Sequence, residues 1–175
     1  EGVGKRLLAL CGVAVLLHAT LAGAAGAEGE YLEVNYPASS QPGELPMGVT
    51  YTLWIPAGPA TLRGILVHQH GCGVGACKGG ATAAHDLHWQ ALAKKWDCAL
   101  LGPSYQQAEK QNCRLWCDPR NGSAKTFLKA IGEFATKSKH PELTKVPWCL
   151  WGHSGGGFWA SLMQTMHPDR IVAIW

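Results

Sequence analysis

Clustered charge, long apolar runs and repetition are all scarce in this 175-residue chain. Its 15 Lys and Arg and 12 Asp and Glu are scattered with no dense basic run, which gives no support to binding of nucleic acid or of a membrane surface. The apolar stretch from Leu7 to Leu17 is far shorter than the roughly 18 residues of a membrane span, so no span is expected in the mature protein. No internal repeat or low-complexity segment follows it, which excludes an array of stacked units. An initiator Met is lacking too, since the chain opens at Glu1.

What is present at the N-terminus reads as a secretory signal peptide. Lys5 and Arg6 form a basic start, the apolar stretch follows, and small residues at Ala25 and Ala27 suit cleavage after Ala27. Residues 28–175 then form one domain, because 148 residues hold one core and are too few for two. Export implies a secreted or periplasmic protein. It also places Cys72, Cys77, Cys98, Cys113, Cys117 and Cys149 in an oxidising compartment, where an even count suggests disulfides.

Strand and helix periods alternate along this domain. "YLEVNY" (31–36), "VTYTLWIPA" (49–57) and "RGILVHQHG" (63–71) read as strands, the last buried on both faces. From Ala83 the period becomes helical, with Trp89, Leu92, Ala93 and Trp96 on one face. "CALLGP" (98–103) is a further strand. After a polar, cysteine-bearing loop, Ser123 is expected to cap a helix with the stripe Phe127, Ile131 and Phe134. "VPWCLWG", "GGGFWASLMQTMH" and "IVAIW" give strand, helix and strand. The fold class is therefore α/β, a mostly parallel sheet covered by helices on both faces.

Gly152-His153-Ser154-Gly155-Gly156 matches G-x-S-x-G between a strand and a helix, the context in which such a serine is a nucleophile. A turn this sharp strains the backbone at Ser154, so Gly152 and Gly156 are needed to avoid clashes. The free N–H of Gly155 at the helix start can stabilise an oxyanion. A second donor is expected from His70-Gly71-Cys72-Gly73, with the Cys72 N–H as candidate and Gly71 or Gly73 in reserve. His70 is expected to order that loop through a hydrogen bond, and His153 to be structural. Trp54, Trp89, Trp96, Trp148 and Trp159 read as packing, whereas Tyr105 and Trp116 are candidates for touching substrate. Asp86, Asp118 and Asp169 read as solvated or capping carboxylates.

Two other chemistries fit some of the same residues. Gly155-x-Gly157-x-x-Ala160 fits a dinucleotide fingerprint, but that motif belongs to a first strand–helix turn and this one is late. His68, His70, Cys72 and Cys77 could ligate zinc, since H-x-H on a strand points both rings to one face. Export favours disulfides over that reading. No metal and no cofactor is expected.

The span from Val49 to Trp175 resembles the first two-thirds of an α/β-hydrolase, and within that superfamily secreted esterases of the polyhydroxybutyrate depolymerase and feruloyl esterase type. "HGC" (70–72), the W-x2-LA helix (89–93), "LGPSYQQ" (101–107), "CRLWC" (113–117) and "GHSGGG" carry the resemblance. In the family pattern the Cys and Trp of the fourth motif are adjacent, whereas Arg114 and Leu115 separate Cys113 from Trp116 here.

The resemblance implies a serine-dependent esterase acting on a small-molecule or polymeric ester, with an acid and a His following the serine in chain order. Both would lie beyond Trp175, so the chain reads as a C-terminally incomplete domain, inactive alone. It implies too that the strands at 98–103 and 147–152 flank the strand at 63–70. Cys98 and Cys149 would then be too far apart to bridge and would stay reduced and buried. Cys72, Cys77, Cys113 and Cys117 would pair among themselves, locally or through a Cys72–Cys113 bridge. A serine peptidase or a catalytically silent binding protein of the same fold are the alternatives.

Overall fold

The computed structural model describes residues 28–175, so the expected signal peptide lies outside the described residues. Two antiparallel strands, β1 (Gly29–Tyr36) and β2 (Val49–Pro56), pair in register from Gly29 opposite Pro56 to Tyr36 opposite Val49. β2 runs antiparallel to β4 (Cys98–Tyr105), and from β4 onward every neighbour is parallel: β3 (Gly64–Gln69), β5 (Trp148–Gly152) and β6 (Ile171–Ile174). The order is β1-β2-β4-β3-β5-β6. β4 and β5 therefore flank β3, as the resemblance implied.

The sequence of β3 explains its central place. Gly64 to Val67 are all buried, which a strand needs when both faces of the sheet are covered. Ile65 and Val67 face a large core shared with Tyr51, Leu101 and Leu150 and with helices α4 (Ser123–Lys137) and α5 (Gly155–Met166). Leu66 points the other way, toward Trp54, Leu100 and Ala93 of α2 (Leu87–Lys95). The α4 stripe is as the period predicts, with Phe127, Ile131 and Phe134 buried. Trp54, Trp148 and Trp159 are fully buried as well.

Several local expectations are corrected. A ten-residue helix, α1 (Val74–Ala83), ends where the helical period was expected to begin, and a short one, α3 (Arg114–Cys117), lies in the cysteine-bearing loop. α2 begins at Leu87, capped by the Asp86 carboxylate on the N–H groups of His88 and Trp89. Trp96 is past its last turn and half exposed, so it is not core. Ser123 does not cap α4. Gly122, at φ 100°, takes the cap position, and Ser123 is a buried link that donates to the Trp116 carbonyl and accepts from Trp159 Nε1.

Of the cysteines, Cys72 and Cys113 are bridged, while Cys77 and Cys117 are free thiols and form neither local pair. Cys98 is reduced and buried, whereas Cys149 is reduced but only half-buried. The rings of His68 and His70 diverge: His68 packs on Trp89 and Trp151, His70 on Tyr105 and Trp116. With Cys72 bridged, the four possible zinc ligands do not converge.

Candidate active site

The junction of β5 with α5 carries Ser154 on strained backbone, at φ 51° and ψ −114°. Outside glycine that region costs roughly 1–3 kcal/mol and persists only where surroundings enforce it. Here the glycines on either side do so. A side chain on Gly152 would collide with the Gly156 backbone, and one on Gly156 would lie 2.5 Å from the carbonyl oxygens of both Gln69 and His70. Both positions let α5 press against the ends of β3 and β5. Bulk beneath that contact comes from Trp159, Ala160 and Met163, all buried.

This elbow leaves the serine accessible at the C-terminal edge of the parallel strands, where sites of open α/β sheets form. The Ser154 hydroxyl has no hydrogen-bond partner among the described residues. His153 beside it is exposed, its N–H bonded to the Gln69 carbonyl at 3.3 Å and its ring close to Gly71.

The loop after β3 approaches the serine closely. A Cβ on Gly71 would lie 3.5 Å from Ser154 Cβ, and one on Gly155 only 3.1 Å from the Cys72 nitrogen and 2.6 Å from Cys117 Sγ. The Cys72 nitrogen thus lies against Gly155, and neither residue's N–H is engaged by another described residue. Two unspent donors this close, if aimed at one point, are what stabilises charge developing on an attacked carbonyl. Gly73 drops out as a reserve donor, because its N–H is bonded to Gln107 Oε1 at 3.2 Å.

His70 sits under this loop, 8% exposed, with Nδ1 2.6 Å from the Gly71 carbonyl. Burial lowers its pKa, outweighing the Gly71 and Pro103 carbonyls that favour the proton, and Nδ1, facing a carbonyl oxygen, is the donor. The disulfide ties Cys72 itself to Cys113 beside α3, with Cα atoms 5.7 Å apart.

Substrate contact by Tyr105 and Trp116 is overturned. Their exposures are 2% and 0%, and they stack on each other at 4.5 Å, so neither presents a face to a ligand. Trp116 instead donates its indole N–H to Gln107 Oε1 at 2.9 Å. Gln107 is the residue that sequence reasoning missed. It stands in "LGPSYQQ", but nothing in that pattern says that its amide is buried and shared between two loops.

A groove of about 290 Å³ lined by Tyr36, Ser39, Glu44, Lys125 and Lys129 lies between the loop after β1 and α4, not at Ser154. Its charges are already matched, Lys125 to Glu44 at 2.9 Å and Lys129 over the Tyr36 ring.

No protein-family model and no curated protein matches the chain. Solved structures do. LpqC, a poly(3-hydroxybutyrate) depolymerase from Bordetella parapertussis, aligns at TM-score 0.61 and 16% identity over 84% of this chain and 51% of its own. A peroxisomal α/β-hydrolase of Saccharomyces cerevisiae aligns at 0.49 and 16% identity, over 83% of this chain and 43% of its own. A thermostable carboxyl esterase from Bacillus coagulans aligns at 0.48 and 13%, over 82% and 43%. The chain spans about half the length of the first of these. Together with the strand order and the elbow, the first likeness gives the chain the α/β-hydrolase fold.

Proposed function

We propose that the protein is a secreted serine hydrolase that cleaves carboxylic esters through an acyl-enzyme on Ser154. One observation carries this reading: a strained, accessible serine stands beside two unengaged N–H groups, those of Cys72 and Gly155. In the first step Ser154 Oγ attacks the ester carbonyl, its proton passing to a general base, and the carbonyl oxygen takes up charge between the two N–H groups. Collapse expels the alcohol, which leaves with a proton, and water then releases the acid by the same route. The chemistry calls for no metal or cofactor. LpqC is described as a poly(3-hydroxybutyrate) depolymerase, so short polyesters and p-nitrophenyl acyl esters are the substrates to try first.

A catalytically silent binding protein is the second reading, favoured by the lack of a partner for the Ser154 hydroxyl among the described residues. Steady-state hydrolysis of p-nitrophenyl esters by the full-length protein and its Ser154→Ala variant separates the two. Turnover that falls by at least about 10³-fold in the variant supports the hydrolase, since losing a triad member costs up to roughly 10⁶. Equal rates in the two proteins would reject it.

A further inference from the structure

We propose that Gln107 is a positioning residue that holds the Cys72 amide in place to receive the oxyanion, an inference that rests on the reading of Ser154 and Cys72 above. Two peptide planes meet at the Cys72 Cα, and each is held by a different side chain. The Gly71–Cys72 plane, which carries the donor N–H, is held through its carbonyl by His70 Nδ1 at 2.6 Å. The Cys72–Gly73 plane is held through the Gly73 N–H, which donates to Gln107 Oε1 at 3.2 Å.

On its far side Gly73 is held where α1 begins, its carbonyl accepting from the Cys77 N–H at 2.9 Å, but its N–H has no partner besides Gln107 among the described residues. It stands at φ 112°, a region natural only to glycine, and the space where its Cβ would be is empty to 4 Å. Packing at Gly73 therefore does not set the tilt of the Cys72–Gly73 plane; between the Cys72–Cys113 bridge on one side and the start of α1 on the other, the bond to Gln107 is what holds it. Gln107 can supply that constraint because its own amide is locked. Its oxygen also accepts from Trp116 Nε1 at 2.9 Å, while Nε2 donates to the Gln111 carbonyl at 3.0 Å and lies 3.3 Å from Cys72 Sγ. A flipped amide would set N–H groups against two donors and an oxygen against a carbonyl, so one orientation is fixed. At 6% exposure no water replaces these bonds cheaply. The path runs from the Trp116 indole through Gln107 to Gly73, and so to the Cys72 peptide.

The test uses Gln107→Leu and Trp116→Phe in the full-length protein, with active sites counted by end-point labelling with a fluorophosphonate. Per labelled site, Gln107→Leu should lower kcat about 10- to 100-fold with KM within about 3-fold, less than the 10²–10³ of deleting a donor outright. The Ki of a trifluoromethyl ketone, whose hemiketal oxygen occupies the same donors, should rise by the same factor. Trp116→Phe keeps the stack on Tyr105 but frees the Gln107 oxygen, and should show a smaller loss in both readouts; it also decides the matter if Gln107→Leu does not fold. Unchanged kcat per labelled site, a loss confined to KM, or an unchanged ketone Ki would overturn the proposal. If the parent protein takes no label at Ser154, the hydrolase reading fails first and this proposal with it.

Discussion

Ser154 illustrates how much one residue's neighbours reveal. The glycines at 152 and 156 were legible from sterics alone, and the close approaches around them agree. Gly156→Ala should therefore be costly: a methyl 2.5 Å from two carbonyl oxygens forces the helix off the sheet. Overpacking of this kind costs about 1–3 kcal/mol, read as a lowered urea midpoint. A wild-type midpoint would mean that α5 does not press on β3 as described.

The buried histidines make a pH prediction. Burial lowers the pKa of His68 and of His70 below their ordinary 6.5. The unfolded chain then takes up protons first as the pH falls, so their contribution to stability is complete above 6.5 and is lost as the pH drops through the folded values. The urea midpoint should decline as the pH falls below the ordinary 6.5, and replacing both residues by Gln should flatten that slope. What sequence could not show at this scale was Gln107, because a polar residue declares its burial only when its partners, here from two other loops, are assembled.

At the scale of elements, the loops above the sheet are where sequence and structure parted. α1 was hidden by Gly75, Gly79 and Gly80, which depress helix propensity; Gly80 has its own reason, since a side chain there would strike the Pro103 carbonyl of β4. The strand order implied by the resemblance left the local pairs Cys72–Cys77 and Cys113–Cys117 and the bridge Cys72–Cys113 open in this region, and only the last formed. Burial pushes the remaining thiols up, Cys77 and Cys98 to about 11 and Cys117 to about 12. Alkylation of the native protein near pH 8 should be slow at these three and fastest at half-buried Cys149, and non-reducing peptide maps should contain Cys72 linked to Cys113. A Cys98–Cys149 link would contradict the strand order as well as the pairing.

Glu142 ties together two elements distant in sequence. Burial alone would raise its pKa, but the Leu62 N–H at 2.8 Å and His140 at 2.7 Å hold it below the usual carboxylate value. It thus anchors the start of β3 to the turn before β5. Glu142→Gln keeps an acceptor for the Leu62 N–H but loses the charge, and should destabilise the protein by about 1 kcal/mol, the difference between a hydrogen bond to a charged and to a neutral acceptor. Thermal unfolding within error of the parent would remove it from the account.

For the whole molecule, strand periodicity and the alternation of strands with helices were sufficient to read an α/β sheet, because each central strand declares its burial in its own residues. Strand order was not readable that way and came from the resemblance, since periodicity does not say which strand lies beside which. The catalytic base is a property of this scale too. None of the described histidines bonds the Ser154 hydroxyl, so residues 28–175 by themselves should hydrolyse p-nitrophenyl esters at best about 10³-fold over water, and turnover well above that would place a base among the described histidines. The most direct measurement of the central claim is to treat the full-length protein with a fluorophosphonate and locate the adduct by peptide mass spectrometry. A single adduct on Ser154, absent from Ser154→Ala, is the predicted result; an adduct on any other serine, or undiminished labelling of the variant, would contradict it.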